Sequence, residues 1–340
     1  MTRRPRVAAF VPCRNEAAII AETIRVLREY LTSDRFPYEG VIIVVDDGST
    51  DGTFAIAKQA GADVLYRHET NRGLGAATRA GMEIAHYIGC DAFAKFDADL
   101  QHDTNDIAAA VRPLIDDEAD VVYASRFTGR IHYRMPLIRA VGNRTFTTLM
   151  RWVTGWPITD AQTGLMCFSR RYLSMFEMPG AYNPPQQALF DASRKGMRYA
   201  EVPAQFYARK TGKSFVSLKY ISKVTTSLLK VAFYHYCFRL FTVLGLALLT
   251  LGCVFVGRGL YGYWFEGSPT YVPNAIVVLF SVTVGLLSVL FGLLSYAVLA
   301  RQPYIRNSMT YFYIVLEQVV FTRPDLQPHR PDVAYAWRDA

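Results

Sequence analysis

The chain has 340 residues, with 37 Lys and Arg against 29 Asp and Glu, and a formal net charge of +8. Because one hydrophobic core rarely grows past roughly 250 residues, we expect one large domain and a further part. The odd number of cysteines and the lack of any CxxC pair argue against a disulfide framework and a zinc site. The first apolar run, 7–11, is too short for a signal peptide, so we expect a reduced, cytoplasmic main domain.

Strand and helix patterns alternate along the first 130 residues. Short apolar, often β-branched runs predict strands at 7–11, 41–45, 64–66, 92–96 and 121–124. Apolar residues at helical spacing predict helices at 16–30, 53–61 and 75–88. This alternation predicts an α/β domain with a parallel sheet that helices cover on both faces.

Polar clusters follow four of these predicted strands. They are CRNE (13–16), DDGSTDGT (46–53), DADLQH (97–102) and SRF (125–127). Ligands of parallel α/β sheets bind outside the carboxyl ends of the strands. We therefore expect the four clusters to meet at one edge of the sheet.

Two of the polar segments have more than one interpretation. DDGSTDGT by itself is typical of a turn with a helix N-cap, and alternatively supplies a carboxylate that accepts hydrogen bonds from a base or ribose. NRGLGAATRAG (71–81) lacks the GxGxxG spacing, which disfavours an NAD site. Backbone amides at the start of that helix could still approach a phosphate.

The strongest local signal is DADLQH. Asp97 and Asp99 are two residues apart at a predicted strand end, where their charges repel unless a cation offsets them. Carboxylate and amide oxygens, here including Gln101, are hard ligands suited to Mg²⁺ or Mn²⁺. Such an ion would stabilise a diphosphate leaving group. Helix caps or salt-bridged acids are the alternative interpretation.

Two long apolar segments, 240–256 and 276–299, predict membrane-spanning helices. Lys and Arg flank the pair on its outer sides, which by the positive-inside rule predicts a multi-pass protein with both termini in the cytoplasm. The connecting loop, with Tyr261, Tyr263, Trp264 and Tyr271 at interfacial depth, would face outward. A buried helical hairpin of a soluble protein is the alternative.

A basic stretch precedes the first predicted span. From Arg194 to Lys230 there are nine Lys or Arg and one acid, Glu201, which indicates an anionic surface or ligand as its partner. After the second span, residues 304–320 are compatible with an amphipathic helix at the membrane or against another subunit.

The motifs PCRNEAA, VVDDGSTDGT, NRGLGAA, FDADLQH, ASRF, RMPLIRAVGN and DAQTG, in this order, resemble the family 2 glycosyltransferases with a GT-A fold. The resemblance covers roughly residues 6–220 and is closest to the group that glycosylates dolichol phosphate and bactoprenol phosphate. It implies a GT-A catalytic domain at 1–215, a basic juxtamembrane helical segment at 216–237, a two-helix anchor at 238–300, and a cytoplasmic amphipathic helix and tail at 301–340.

The resemblance also implies roles for particular residues, with Asp97, Asp99, Arg126 and Arg139 as the catalytic set. The metal ligands for Mn²⁺ or Mg²⁺ would be Asp99 and Gln101, assisted by Asp97. The implied nucleotide-sugar site consists of Pro12, Arg14, Glu16, Asp47, Asp97, Ala98, Asp99, Arg126, Arg209 and Lys213, and the lipid-phosphate site of Arg126, Arg139 and Arg209. One motif departs from the family, because Phe215 stands where a phosphate-binding lysine is expected, and Lys210 or Lys213 would replace it.

The implied activity is inverting transfer of a hexose from UDP-glucose, UDP-galactose or GDP-mannose to a polyprenyl phosphate, giving a lipid-linked monosaccharide for use outside the cytoplasm. A phosphate oxyanion needs no general base, only positioning and charge neutralisation. One alternative is transfer to a hydroxyl of a glycolipid or polysaccharide, with Asp160 as base. Another is a membrane scaffold that binds nucleotide sugars without turnover. Relatives with two spans imply a tetramer, and nothing indicates nucleic acid as a partner.

Overall fold

The computed structural model describes residues 3–133, 135, 137–178, 183–208, 218–266, 271–301 and 319–327. Four of the residues discussed above, Arg209, Lys210, Lys213 and Phe215, lie outside this range, as does most of the predicted helix 304–320. The side chains of Arg139 and of residues 218–237 are also outside it. The chain divides into two compact units, one formed by Met1–Ser217 with Thr310–Ala340 and the other by Leu218–Met309.

Within the described residues, eight strands form one sheet in the order β7-β5-β6-β4-β1-β2-β3-β8. Most pairs are parallel, whereas β6 and β8 run antiparallel to their neighbours. The predicted α/β class with a mostly parallel sheet is confirmed. The strands are β1 (Arg6–Cys13), β2 (Glu39–Asp46), β3 (Val64–Arg67), β4 (Ala92–Lys95), β5 (Val121–Ile131), β6 (Met166–Ser169), β7 (Tyr199–Phe206) and β8 (Val320–Phe321).

Helices cover both faces of the sheet and enclose two apolar cores. The β-branched run of β2 contributes to both, because successive side chains of a strand point to opposite faces. Val41, Ile43 and Val45 pack on one face, and Ile42 and Val44 on the other. The helices of this unit are α1 (Ile20–Leu31), α2 (Thr53–Gln59), α3 (Leu74–Tyr87), α4 (Asn105–Ile115), α5 (Leu137–Thr154), α6 (Arg170–Leu173) and α7 (Pro184–Arg194).

Two element boundaries differ from the sequence prediction. Strand β5 continues to Ile131 rather than ending at Ala124, because β7 pairs along its polar half, with a register shift between Ser125 and Arg130. The SRF cluster therefore lies inside the strand and not after it. Helix α1 begins at Ile20 rather than Glu16, since the chain first turns at Asn15, which has a φ of 53°.

The segment 319–327 returns to the catalytic sheet, where the sequence predicted the end of a helix and a tail. Strand β8 pairs antiparallel with β3, so that Val64 faces Phe321. The amide of Thr322 donates to the Asp63 carbonyl at 2.9 Å, and Leu326 is buried. Pairing covers the backbone groups that an edge strand otherwise exposes.

The second unit contains α8 (Leu218–Tyr261) and α9 (Tyr271–Arg301). Two stretches, Phe238–Phe265 and Ala275–Ser295, are long and apolar enough to cross a membrane, and the predicted spans overlap them. The basic segment from residue 218 belongs to the same helix as the first stretch. Residues Gly262–Glu266 form a π-helical turn, so Tyr263 and Trp264 lie in helical backbone rather than in a loop.

Candidate active site

The carboxyl ends of three adjacent parallel strands define one edge of the sheet. Cys13 at the end of β1 is in register with Asp46 at the end of β2, and Lys95 ends β4 on the other side of β1. The segments that follow β1 and β2 are joined by hydrogen bonds. The Asn15 amide donates to Ser49 Oγ at 2.9 Å, and the Glu16 amide to Thr53 Oγ1 at 2.9 Å. The structure thus brings the predicted CRNE and DDGSTDGT clusters together.

Asp47 organises the loop that precedes α3. Its Oδ1 accepts a hydrogen bond from the Arg72 amide and its Oδ2 one from the Gly73 amide, both at 2.8 Å. His68 Nδ1 lies 2.7 Å from Oδ1. Burial by itself raises the pKa of Asp47, but these hydrogen bonds outweigh it and lower the pKa below its usual value. Asp47 therefore ties the NRGLG segment to β2 as an ionised carboxylate, and its contact with a base stays a prediction.

The other predicted nucleotide-pocket residues of this region differ in exposure. Pro12 is buried within β1, Arg14 is exposed and Glu16 is half-buried. Only the last two present polar side chains that a ligand in solution can reach, and their roles also stay predictions.

The DADLQH turn follows β4 and is fixed to the end of β7. Asp99 Oδ1 accepts a hydrogen bond from the Gln101 amide at 3.1 Å, and Leu100 between them has a φ of 53°. A left-handed conformation costs a non-glycine residue ~1–2 kcal/mol, so surrounding contacts must hold it. They come from Tyr207, whose amide donates to the Gln101 carbonyl at 2.8 Å and whose carbonyl accepts from Gln101 Nε2 at 3.3 Å. Asp99, Gln101 and Ala98 are buried, and Asp97 is partly exposed.

A buried lysine partly neutralises the negative charge of this turn. Lys95 is 2% exposed; its Nζ is paired with Asp97 Oδ1 and donates to the Gly164 carbonyl at 3.3 Å. Gly164 packs tightly here, because a Cβ at this position would overlap the Asp97 carboxylate and lie 2.5 Å from His102 Nε2. The alternative interpretation, a salt-bridged acid, therefore holds for Asp97, and its role as a metal ligand stays a prediction.

The buried pair of Arg126 and Asp160 lies beside this turn. Arg126 donates from Nε to Asp160 Oδ2 at 2.6 Å and from Nη2 to Asp160 Oδ1 at 2.8 Å. The guanidinium also donates to the Gln162 carbonyl at 2.9 Å and stacks on Phe206, 4.9 Å from the ring centre. Burial raises the pKa of Asp160, but the hydrogen bonds and charge of Arg126 more than offset this and hold the pKa below its usual value.

Further hydrogen bonds hold this pair in place. Asn143 of α5 donates to Asp160 Oδ1 at 3.3 Å. Glu201 of β7 accepts from the Thr159 amide at 2.7 Å and from the Thr159 hydroxyl at 2.6 Å. Elements β5, α5 and β7 therefore all position the Asp160 loop.

The donor set suits a hard divalent ion. Asp97, Asp99 and Gln101 supply oxygens from a single turn, which is the ligand chemistry of Mg²⁺ and Mn²⁺. Among the described residues, no group of three His, Cys, Asp or Glu side chains forms a metal site. The assignment of Asp97, Asp99 and Gln101 as metal ligands therefore stays a prediction.

The sequence reasoning missed three supporting residues. Lys95 and Gly164 contact Asp97, and Glu201 orients the Asp160 loop. A signal existed for Lys95, because a lysine inside a buried strand directly before an acidic turn requires a partner. Gly164 ends the DAQTG motif, but no local signal indicates the partner of Gly164 or of Glu201, since each meets its partner through the pairing of strands distant in sequence.

A mostly parallel sheet with an acidic turn at its carboxyl edge is compatible with the GT-A fold that the sequence motifs resemble. Residues 8–174 match the model of glycosyl transferase family 2. The chain belongs to this family.

Two curated relatives align over the same region. One is the UDP-N-acetylglucosamine–dolichyl-phosphate N-acetylglucosaminyltransferase of Methanococcus voltae, 30% identical over 57% of this chain and 82% of the relative. Another is the polyprenol monophosphomannose synthase of Mycolicibacterium smegmatis, 31% identical over 56% of this chain and 74% of the relative. The first relative is named for transfer to dolichyl phosphate, and the second for the synthesis of a polyprenol monophosphomannose.

A solved structure with the same fold is glucosyl-3-phosphoglycerate synthase from Mycobacterium tuberculosis in complex with Mn²⁺ and UDP-glucose. It is 22% identical, with a TM-score of 0.52 over 67% of this chain and 78% of that chain. At this level of identity the likeness shows the fold alone.

Proposed function

We propose that this protein transfers a sugar from a nucleotide sugar to a polyprenyl phosphate, with inversion at the anomeric carbon, to give a lipid-linked monosaccharide. The donors that we expect are UDP-glucose, UDP-galactose and GDP-mannose. The similarity to an N-acetylglucosaminyltransferase adds UDP-N-acetylglucosamine to this group.

One observation carries the proposal, namely the convergence of the acidic turn and the buried arginine on the end of β7. Gln101 bonds to Tyr207, and the Arg126 guanidinium stacks on the neighbouring Phe206. Oxygen donors for a divalent cation and a cationic side chain that can attract phosphate are thus held by consecutive residues of one strand end. A reaction that joins a diphosphate donor to a phosphate acceptor needs both kinds of group.

In the proposed reaction, a phosphate oxygen of the acceptor attacks the anomeric carbon of the sugar. The bond from that carbon to the diphosphate breaks, and the nucleoside diphosphate leaves with the electron pair. A polyprenyl phosphate is already an oxyanion near neutral pH, so no proton has to be removed. The protein contributes by orienting the two substrates and neutralising their charge.

Asp97, Asp99 and Gln101 would hold Mn²⁺ or Mg²⁺, which when bound supplies charge stabilisation for the leaving diphosphate. Lys95 neutralises part of the charge of Asp97 and holds its Oδ1 in place. Asp160 holds Arg126 beside the acidic turn. We assign phosphate binding to Arg126, together with Arg139 and Arg209 from the family resemblance.

The geometry favours a phosphate acceptor over a hydroxyl acceptor. A hydroxyl requires a general base, and Asp160 was the candidate. Asp160 is fully buried, and both its oxygens accept hydrogen bonds from Arg126. Because its pKa is also lowered, this carboxylate is a poor proton acceptor.

We further propose that α8 and α9 anchor the chain in the cytoplasmic membrane as a multi-pass protein. Both termini and the catalytic domain (1–215) would be cytoplasmic, because Lys and Arg flank the pair of helices on that side. The basic segment 216–237 would then meet anionic headgroups, with 238–300 as the anchor and 301–340 again in the cytoplasm. A homo-tetramer is expected from the resemblance.

The test uses purified full-length protein with undecaprenyl phosphate and each of the four nucleotide sugars, in Mn²⁺ or Mg²⁺. The product is followed as a lipid-linked monosaccharide, and its anomeric configuration is determined by NMR. We expect one donor to be consumed with inversion, and Asp99→Asn to abolish turnover. The matched control is Asp116→Asn, which changes an exposed acid directly after the C-terminal end of α4. This control should leave turnover unchanged. A product with the donor's configuration, or no consumption of any donor, would contradict the proposal.

A further inference from the structure

Thr23 lies in the first turn of α1 and is completely buried. Two carbonyl oxygens are within reach of its hydroxyl, that of Ala98 in the acidic turn at 2.7 Å and that of Ile19 at 3.2 Å. The Ile19 carbonyl already accepts a hydrogen bond from the Thr23 amide at 3.0 Å. Because a hydroxyl carries one proton, the shorter distance assigns that proton to the Ala98 carbonyl.

This hydrogen bond differs from the one that a threonine inside a helix usually makes. Such a residue commonly donates to the carbonyl four residues earlier, as Thr78 in α3 does to the Leu74 carbonyl at 2.8 Å. Thr23 instead joins two segments that are 75 residues apart. Its hydroxyl therefore links α1 to the turn after β4, which the formation of α1 by itself does not require.

The hydrogen bond from Thr23 fixes the peptide group that leads into Asp99. A peptide group is planar, so a carbonyl held in one direction also sets the direction of the next amide nitrogen. The far side of the turn is held separately, where Gln101 bonds to Tyr207. The Ala98 carbonyl is thus the point at which α1 holds the near side of the predicted metal-binding turn.

The start of α1 is hydrogen-bonded to the DDGSTDGT loop. The Glu16 amide donates to Thr53 Oγ1 at 2.9 Å, and the Ala17 amide donates to Asp51 Oδ2 at 3.1 Å. The Glu16 carbonyl accepts a hydrogen bond from the amide of Ile20, the first residue of the helix, at 2.9 Å. Helix α1 therefore connects the loop where we predict nucleoside contacts with the turn where we predict the metal ligands.

We propose that Thr23 is a positioning residue of the donor site, which holds the acidic turn in the orientation that a divalent ion and a nucleoside diphosphate require together. The inference rests on the proposed function, because it concerns the predicted metal ligand Asp99. Thr23 is completely buried and cannot touch a substrate, so it acts through the Ala98 carbonyl. Without the hydroxyl, this buried carbonyl loses its partner and the peptide before Asp99 is less firmly held.

The test compares variants of Thr23 in the purified full-length protein. Thr23→Val removes the hydroxyl and keeps the side-chain volume, whereas Thr23→Ser keeps the hydroxyl and removes a methyl group. Thr78→Val is the matched control, because Thr78 is also completely buried in a helix and its hydroxyl bonds within that helix.

Two affinities are measured for each protein, and neither requires turnover. The affinity for UDP and for GDP without metal is measured by isothermal titration calorimetry. The affinity for Mn²⁺ at a saturating concentration of the nucleotide is measured from the electron paramagnetic resonance signal of the free ion. The thermal midpoint of each variant is recorded as a check on folding.

We expect Thr23→Val to weaken the binding of Mn²⁺ by at least about tenfold, as is typical when a residue that orients metal ligands is removed. Its metal-free affinity for the nucleotide should stay close to that of the wild type, because α1 remains bonded to the DDGSTDGT loop. Thr23→Ser and Thr78→Val should bind Mn²⁺ as the wild type does. If Thr23→Val does not fold, Thr23→Ala and Thr23→Ser form a second pair that differs in the hydroxyl alone.

Equal affinity of Thr23→Val and the wild type for Mn²⁺ would overturn the proposal. A loss in Thr23→Ser as large as in Thr23→Val would also overturn it, because the hydroxyl would then not be responsible. A wild-type protein that binds nucleotide but no Mn²⁺ would refute this inference and leave a nucleotide site in place. A wild-type protein that binds neither UDP nor GDP would instead contradict the proposed function, and this inference with it.

Discussion

Arg126 and Asp160 form a forked pair across two segments 34 residues apart, with hydrogen bonds of 2.6 and 2.8 Å and both side chains buried. Removal of one member of a buried pair leaves an uncompensated charge, which costs about 3–5 kcal/mol. We expect Asp160→Asn to lower the free energy of unfolding by about 3 kcal/mol, the lower end of this range. The loss is limited because the amide oxygen still accepts one hydrogen bond from Arg126. The measurement is the thermal midpoint in detergent.

A double-mutant cycle with Arg126→Gln measures the interaction energy between Arg126 and Asp160, apart from the other effects of each substitution. The double variant Arg126→Gln/Asp160→Asn keeps neutral hydrogen bonding and should be more stable than the sum of the two single effects predicts. Additive losses would show that the two side chains do not stabilise each other. Asp116→Asn, which removes a surface pair with Arg112, serves as the control and should cost under about 1 kcal/mol.

Gly164 on the Asp160 loop lies next to the Asp97 carboxylate. In Gly164→Ala the added Cβ would overlap Asp97 and crowd His102, so the acidic turn must move. We expect weaker binding of Mn²⁺ together with UDP or GDP, measured by isothermal titration calorimetry. Gly142→Ala in α5 is the control, because nothing lies within 4 Å of its added Cβ. That control should gain about 0.5–1 kcal/mol of stability, since glycine weakens a helix interior. Equal affinity in the two variants would refute the role given to Gly164.

Lys95 is the buried cation that faces the acidic turn. In Lys95→Met, Asp97 loses this cation while the methylene volume is kept, so one of the contacts that orient the carboxylate is removed. We expect a higher KM for the nucleotide sugar with a smaller change in kcat, because the residue positions the donor site and does not touch the reacting atoms. Lys58→Met on the exposed surface of α2 is the control. A loss of stability without any change in KM would mean that Lys95 is only structural.

Asp106 makes the free energy of unfolding depend on pH. Burial is the main cause that raises its pKa from 3.8 to about 6, although the Gln205 amide donates to Oδ2 and acts in the opposite direction. Between pH 4 and pH 6 the native state retains a proton that the unfolded chain has lost, so this residue makes the protein less stable as the pH rises through that window. Asp106→Asn carries no such proton. We expect the variant to have the higher thermal midpoint above pH 6, with the difference disappearing towards pH 4. A constant difference across this range would contradict the assignment.

Strand β8 and the turn after it protect the outer edge of the catalytic sheet. Leu326 is buried, whereas the adjacent Gln327 is exposed. We expect Leu326→Ala to destabilise the protein by about 2 kcal/mol, at the low end for a buried leucine because the site is peripheral. Gln327→Ala should have no effect. Susceptibility to limited proteolysis near β3 is the measurement, and equal digestion of both variants would show that the segment does not stabilise this edge.

Several features of this protein follow from local sequence alone. The five β-branched residues 41–45 specify a strand that is buried on both faces, because no polar side chain interrupts them. The apolar segment near 240–256 is just long enough to span a bilayer core, and the one near 276–299 is longer than required. The order of the motifs from CRNE to DAQTG identifies the family, and the strand ends locate the acidic turn at the sheet edge.

The tertiary structure alone decided which side chains meet at that edge. Arg126 pairs with Asp160, and Gly164 packs against Asp97, because β6 runs antiparallel between β4 and β5 and brings the 160–164 loop to the site. The extension of β5 and the docking of β8 on β3 likewise depend on strand register between distant segments. Local propensity carries no information about such register, since it is set by which buried faces and backbone groups are satisfied when the whole sheet assembles.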